Sequence, residues 1–579
     1  MRPERAVWFA VRLVLLLAGL ACSFAACTQT PFWQIQSWGS SKPKAAFVED
    51  EACRNGLMPG WRFAKLGNGG GDAELIVPTV LQPGLGYEFS VQMKAVDGGL
   101  PVVADLAFRR DGPFYEVSVI RPLKLDVGSW QTVVMRGRYT SLGAGSVRLN
   151  LPRDGSGVCV GKPTLKRWDG VDAAAASYRV PKEFFGVHLN KLGLHNGWPV
   201  FDPDVVRMWS TGTSWAELQP APGPIDWRGN LYAQRLDYFV RHVSRQQGEH
   251  QMVMTLGMTP AWAVAKGDAS ACSQSPFGAL TCMPPADLNA WRLFVRELAQ
   301  RYQESPIKVW EIWNEADVGM HWLGGADLMV KMVRIAAEEV KAVSPRSLVL
   351  GPNVTSLGMR FLHDFLAAGG GKYIDGVSVH VYSGRSPKRL MDQIRNVKDL
   401  MQSHGLSLPI WNTETNTACG GGPESDRLLE QVSCAAMPAE DAMVQSLMGQ
   451  AALGVRNVSL YTWEGAELNV GGVGLVEADF RTETLAGVVL DRVVGLLRGS
   501  NVAWSVPTVE GLQAIDVLSA ARTCKVMWAE SDPVLVPGNA RGASTWAKQL
   551  NGQAVDQLAS GEWRVSTMPV ASCIGSPGW

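Results

Sequence analysis

Between residues 45 and 170 apolar and polar positions alternate with a period of two, in YEFSVQM (87–93), VVADLAF (102–108), FYEVSVI (114–120), QTVVM (131–135) and SVRLNL (146–151). Such alternation puts every second side chain on one face. Short half-buried strands separated by Gly, Pro and Asp turns predict a β-sandwich over 45–170. The pattern changes over 180–500. Eight short β-rich runs, FGVHL (185–189), VVRMW (205–209), QMVMTLG (251–257), IKVWEIWNE (307–315), SLVLGPN (347–353), DGVSVHVY (375–382), LPIWNTE (408–414) and NVSLYTW (457–463), alternate with amphipathic stretches. Between the fourth and fifth runs, GADLMVKMVRIAAEEVKAV sets Leu328, Met329, Met332, Val333, Ala336, Ala337 and Val340 at helical spacing. Eight strands alternating with helices predict an α/β fold, a (β/α)8 TIM barrel. Residues 501–579 return to strands (LQAIDVL, CKVMWAE, EWRVSTM) and predict a small C-terminal β-domain.

A chain of 579 residues with 46% apolar residues can fill the cores of three such units. Its 54 basic and 54 acidic residues cancel, with no long run of one sign, so no nucleic-acid partner is expected. The start of the chain changes the picture more. Arg2, Arg5 and Arg12 precede LVLLLAGLA and then small residues, the layout of a secretory signal over 1–27. The apolar run is short for a spanning helix. Export to the periplasm or the extracellular space is expected, with a lipoprotein carrying lipid on Cys27 as the alternative. Membrane contact is expected only through the leader or that lipid.

The eight later cysteines suit an oxidising compartment. Pairing neighbours joins Cys53 with Cys159, Cys272 with Cys282, Cys419 with Cys434 and Cys524 with Cys573, each pair within one predicted unit. No CxxC spacing occurs, so a zinc site is not expected.

Barrel active sites lie at the C-terminal ends of the strands. The fourth run ends in Asn314 and Glu315, the seventh in Glu414. Two carboxyls facing each other across a barrel mouth suit retaining glycoside hydrolysis, which needs them about 5 to 5.5 Å apart.

WEIWNE (310–315) and WNTET (411–415), with RMWSTGTSWAELQPAPG (207–223) and TLGMTPAWA (255–263), resemble the family 39 glycoside hydrolases and their relatives in clan A, the retaining barrel glycosidases. The resemblance covers roughly 180–500. It implies that Glu315 is the general acid/base, Glu414 the nucleophile, and Asn314 the group that hydrogen-bonds the sugar 2-hydroxyl. His380 and Tyr382 match positions flanking the nucleophile, and Trp463 matches a sugar-stacking platform. The family commonly has Pro after the Asn-Glu pair, where this chain has Ala316. No cofactor and no metal are expected, because two carboxyls complete the cycle.

Chemistry adds further expectations. Glu315 must hold a proton, so a raised pKa is expected from Trp313 and the neighbouring Glu414. Glu414 must stay ionised, with Arg207, His380 and Tyr382 as donors. Glu311, deeper on the same strand, reads as an interior partner of a basic residue such as Arg207. Trp322 and Trp463, near strand ends, read as sugar platforms; Trp209, Trp215 and Trp262 read as packing. His188 either contacts substrate or is structural, and His195 and His321 form no metal-ligand spacing. The segment GGVGLVEAD (471–479) lacks the strand and helix of a nucleotide loop. The Cys419–Cys434 insertion is expected to wall the cleft, and the sandwich either binds glycan or is structural.

The expected function is an exported retaining glycosidase acting on a polysaccharide, with xylosides, uronides and bacterial exopolysaccharides as candidate substrates. The exopolysaccharide is favoured by the leader and the sandwich. The alternatives are a catalytically inactive carbohydrate-binding or assembly protein and a transglycosylase.

Overall fold

The computed structural model describes residues 33–575 except 39–43, 50–52, 54–60, 67–71, 97–101, 113–115, 152–155, 169–175, 265–271, 273–274, 276, 383, 420–433, 435–436, 466–472, 507–508 and 538–545. The expected leader, with Cys27, lies outside the described residues.

Nine short parallel strands form one curled sheet. In sheet order they are Leu348–Leu350, Ile307–Ile312, Gln251–Leu256, Val205–Met208, Phe185–His188, Asn457–Leu460, Ile410–Thr415, Val377–His380 and Val354–Thr355. The two strands at the ends of this order are neighbours in the chain, separated only by Gly351, Pro352 and Asn353. Leu350 also bridges to Gly376, and the Asp375 N–H donates to the Val349 carbonyl at 2.8 Å, so the sheet bends back towards its own far edge. All eight expected runs contribute strands; the ninth strand, Val354–Thr355, follows the fifth run, past the Gly351–Pro352 pair that interrupts the ladder.

The strands are buried on both faces, as parallel strands covered by helices must be. One face meets a large core shared with helices such as Leu231–Ser244, Leu288–Arg301, Gly325–Val343 and Pro387–Ser403. Gly325–Val343 is the helix expected from its spacing, and it buries Met329, Met332, Val333, Ala336 and Val340. Val205, Val253, Val309, Leu350 and Trp411 form a separate cluster. Two residues further along four of these strands, at the same parity, stand Arg207, Thr255, Glu311 and Thr413. The interior thus changes from apolar to polar within one step toward the C-terminal ends.

Residues 34–167 form two antiparallel sheets of five and six strands around Leu75, Phe89, Met93, Leu106, Phe108, Met135 and Val147. YEFSVQM lies in Leu85–Ala95 with alternating burial, as its period requires. The first strand begins at Gln34, ahead of the expected boundary. Asn396, from helix Pro387–Ser403, ties these sheets to the parallel one: its Nδ2 donates to the carbonyls of Ser118 (2.9 Å) and Arg138 (2.8 Å), and its Oδ1 accepts from the Arg138 N–H (3.3 Å).

Beyond residue 500 a six-stranded antiparallel sheet forms, and its edge strand is Tyr178–Arg179, which pairs with Asn501–Ser505. The chain therefore enters and leaves the parallel sheet beside the same strand. The four disulfides are Cys53–Cys159, Cys272–Cys282, Cys419–Cys434 and Cys524–Cys573, the neighbour pairing expected. Among the described residues no helix is long and apolar enough to cross a membrane.

Candidate active site

The polar layer is organised by Arg207, which is fully buried. Its Nε donates to Glu311 Oε2 at 2.8 Å, its Nη1 to Glu414 Oε2 at 2.8 Å and its Nη2 to Asn314 Oδ1 at 2.9 Å. One planar fork thereby fixes three groups, two from strand Ile307–Ile312 and its end and one from strand Ile410–Thr415. Glu311 also accepts hydrogens from Thr255 (2.8 Å), Thr413 (2.6 Å) and Ser378. Burial pushes the Glu311 carboxyl up, but Arg207 and these hydroxyls outweigh it and hold it below the ordinary glutamate range. Glu311 is the interior partner of Arg207 that its strand position implies.

Glu414 reaches the mouth through irregular pairing. The register shifts between Val379 and His380, so that His380 stands opposite Glu414, and shifts again between Asn412 and Thr415. Such bulges re-aim side chains beside active sites. Tyr382 donates to Glu414 Oε1 at 2.8 Å while Arg207 occupies Oε2, leaving the carboxyl 12% exposed. Burial and the Glu414 charge push the Tyr382 hydroxyl well above its usual range, so it remains a donor.

Glu315 lies just past strand Ile307–Ile312 in a turn where Trp313 and Glu315 adopt left-handed backbone, with φ of 69° and 47°. The Glu315 N–H donates to Asn353 Oδ1 at 2.6 Å, and the Ala316 N–H donates to the Asn353 carbonyl at 2.8 Å. Pro at 316 would have no hydrogen for the second bond. The Glu315 side chain is 19% exposed; Oε1 lies 3.0 Å from His380 Nδ1 and Oε2 lies 3.3 Å from His321 Nδ1.

Four expectations need correction. Glu315 is not held above the usual range: burial pushes it up, but His321 and then His380 outweigh burial and bring it below. Trp313 does not wall the carboxyl, because its indole turns into the core against Trp322 (4.5 Å) and donates to the His321 carbonyl at 2.8 Å. His380 stands nearer Glu315 than Glu414, at 3.0 Å against 3.9 Å. Trp322 and Trp463 are each only 3% exposed. The Trp322 indole is tied to the Gly325 carbonyl at 3.0 Å, and the Trp463 ring packs on His195 at 4.9 Å. A Cβ at Gly197 would meet the Trp463 ring at 2.5 Å, so that side is closed too. Neither indole presents the open face a sugar ring needs.

His188 is fully buried, and its Nε2–H donates to the Thr413 carbonyl at 3.0 Å. Burial and the nearby Arg207 charge push its pKa well below the usual value, so it is a neutral structural ring behind the site. Asn314 is buried with its carbonyl oxygen taken by Arg207.

Sequence reasoning passed over Asn353 and Glu464, and read His321 only as forming no metal-ligand spacing. Asn353 joins Glu311, Ser378, His380 and the Glu315 turn; its only sequence signal is a polar residue ending an apolar run. His321 comes from a loop and carried no periodic signal. Glu464, almost fully buried, accepts the N–H groups of Asn190 (3.0 Å) and Lys191 (2.8 Å) and the His195 Nε2–H (3.1 Å), which pins the loop after strand Phe185–His188.

Glu315, His380 and Glu414 each bring one ligand-type atom within 4.8 Å of the others, the one such group among the described residues. Arg207 beside Glu414 opposes a second cation there.

No protein-family model matches the chain, and no curated protein matches it in sequence. Among solved structures it is similar to a glucosidase from Croceicoccus marinus (16% identity, 68% of this chain and 82% of that one covered, TM-score 0.45). It is also similar to a monomeric beta-xylosidase from Caulobacter crescentus CB15 (16%, 62% and 75%, TM-score 0.46). A third is a GH39 enzyme from Xanthomonas axonopodis pv. citri (16%, 65% and 78%, TM-score 0.43). The functional reading rests on the geometry of the site.

Proposed function

We propose that the chain is an exported retaining glycoside hydrolase acting on a polysaccharide by double displacement. The observation that carries this reading is the pairing of Glu315 and Glu414, which bring carboxyl oxygens within 4.8 Å of each other. Inverting enzymes leave roughly 6.5 to 9.5 Å between their carboxyls to admit a water; retaining ones use about 5 to 5.5 Å.

The environments divide the roles. Glu414, gripped by Arg207 and Tyr382, is the carboxylate that attacks the anomeric carbon; the bond to the leaving oxygen breaks as Glu315 gives that oxygen a proton. Attack converts Glu414 into a neutral ester, and Arg207 keeps Glu311 as its partner. Glu315, now a carboxylate, takes a proton from water, whose oxygen attacks the anomeric carbon and frees Glu414. His321 and His380 hold Glu315 ionised in the free site, so its proton is acquired in acidic solution or as substrate excludes water around it.

In this reading the nine strands are the eight of a (β/α)8 barrel with the fifth broken at 351–353, 45–170 is a carbohydrate-binding-like sandwich, and 501–579 a small β-domain. Four disulfides support export. Export with a sandwich favours a bacterial exopolysaccharide over a small aryl xyloside.

The test is reducing-end release with product mass spectrometry, using the purified mature protein and its Glu414→Gln variant on bacterial exopolysaccharides, xylans and uronic-acid glycans. Oligosaccharides from the parent and none from the variant support the reading. Binding without release from any glycan overturns it in favour of an inactive carbohydrate-binding protein, and products longer than the substrate identify transfer.

A further inference from the structure

We propose that Asn353 is a positioning residue that fixes where protons sit in the site: it holds His380 as the neutral tautomer protonated on Nδ1, which leaves Oε2 of Glu315 as the oxygen that carries the acid proton.

The orientation of the Asn353 amide is determined twice over. Its Oδ1 accepts the Glu315 N–H at 2.6 Å. Its Nδ2 faces Ser378 Oγ (2.7 Å), His380 Nε2 (2.8 Å), Glu311 Oε1 (3.0 Å) and Thr413 Oγ1 (3.2 Å). Ser378 and Thr413 both give their own hydrogens to Glu311 Oε1, so they meet the amide as acceptors, like the carboxylate itself. Reversing the amide would set its oxygen against Glu311 and its NH2 against the Glu315 N–H. Both contacts are repulsive at a residue that is fully buried.

His380 Nε2 therefore receives a hydrogen and carries none. The ring proton lies on Nδ1, 3.0 Å from Glu315 Oε1. An imidazolium would set Nε2–H against the Asn353 NH2 at 2.8 Å, a donor-to-donor contact. Glu311, Glu414 and the neutral His188 also face this ring, and the two carboxylates do not remove that donor-to-donor contact. With Oε1 accepting from His380, the Glu315 proton has Oε2 as its seat, beside His321 Nδ1 at 3.3 Å. Asp317, Arg207 and Tyr382 complete the charged or titratable groups around Glu315.

The same residue aims the carboxyl. Its two bonds to the N–H groups of Glu315 and Ala316 secure a left-handed turn that a side chain rarely adopts. Ala316, in place of the Pro common in the resembling family, supplies one of them.

The tautomer stands on geometry alone, whereas its catalytic consequence rests on the glycosidase reading. The experiment is 15N NMR of the histidine-labelled full chain, with His380→Gln to assign the signal, from about pH 5 to about pH 8, the range in which an ordinary histidine titrates. The expected spectrum has a protonated Nδ1 and an unprotonated Nε2 for His380 throughout. A proton on Nε2, or an imidazolium within that range, overturns the proposal. In Asn353→Asp the carboxylate accepts from Nε2–H, so the ring shifts tautomer or takes a second proton. On whichever glycan is cleaved, that variant is expected to lose roughly ten- to a hundredfold in kcat and to move its pH profile. A wild-type tautomer and an unmoved profile in the variant overturn the proposal. If the variant does not fold, or no glycan is cleaved, the parent spectrum still decides the tautomer.

Discussion

Arg207 stands between Glu311 and Glu414, 2.8 Å from an oxygen of each, with its charge fully removed from solvent. Its pKa is raised because those carboxylates outweigh the cost of burial. Replacing it with Met leaves two carboxylates facing each other over an apolar chain. Arg207→Met is expected to destabilise the fold by about 3–5 kcal/mol, the usual cost of stranding one half of a buried pair. Denaturant unfolding checks this. A second change, Glu311→Leu, should recover part of the loss, since it removes one stranded charge; no recovery would mean that Glu311 does not depend on Arg207.

On the glycosidase reading, proton donation by Glu315 matters most for a poor leaving group. Glu315→Gln is expected to lower kcat by ~10²–10⁴-fold on an oligosaccharide. The loss should be much smaller on a nitrophenyl glycoside of the same sugar, whose leaving oxygen needs no proton. Steady-state kinetics on the pair of substrates provides the comparison, and equal losses would remove Glu315 from the acid role.

His321 lowers the Glu315 pKa, and Trp209 and Phe277 pack around its ring at 6.5 and 6.3 Å. His321→Phe keeps that aromatic environment and removes the donor. In the free enzyme the protonated form of Glu315 is then retained to higher pH, so the alkaline limb of kcat/KM moves upward. A profile identical to the parent's would show that His321 does not touch the titration.

Acid stability follows from the same carboxyls. Glu311 and Glu315 are both held below their ordinary value of 4.5 in the folded protein. A depressed carboxyl stabilises the fold above its unfolded pKa and loses that contribution as pH falls. Their contribution should therefore be constant above about pH 4.5 and fall below it, by about 1.4 kcal/mol per pH unit for each proton taken up. Glu315→Gln should flatten the falling limb, which chemical denaturation at a series of pH values measures.

Asn396 makes three hydrogen bonds to the backbone of the antiparallel sheets. Asn396→Ala leaves buried backbone groups unpaired at about 1–3 kcal/mol each. Calorimetry should show the unfolding of the sandwich separating from that of the parallel sheet. A single sharp transition in the variant would place the coupling elsewhere.

The parts legible in the sequence were those governed by short-range rules. Alternation located the antiparallel strands of residues 34–167, buried runs located the parallel ones, and neighbour pairing of cysteines matched the four disulfides. Glu315 and Glu414 stood out as carboxyls at the ends of apolar runs. The rest depended on contacts distant in sequence. Trp322 and Trp463 sit near strand ends as platforms would, yet whether an indole faces the cleft or the core depends on neighbours such as Trp313, His195 and Gly197. Whether Glu315 carries a proton is decided by rings from a loop and from another strand, and no local pattern announces either. Gly351–Pro352 was read as part of one run, and the break there became visible only in the structure, with Asn353 emerging from it.

That break has a bearing on engineering. At Gly351–Asn353 the ladder gives way and the ends of the sheet meet through one bridge, a few backbone hydrogen bonds and the contacts of Asn353. A search for thermostable variants would be drawn to such a seam, where filling a gap or adding β-branched residues improves local order. The same seam holds the Glu315 turn, so on the glycosidase reading substitutions that stiffen it are expected to lower turnover, the usual conflict where a functional site uses irregular backbone. Heat tolerance is better sought in the outer helices and the antiparallel sheets of residues 34–167, which can be strengthened without touching the Glu315 turn.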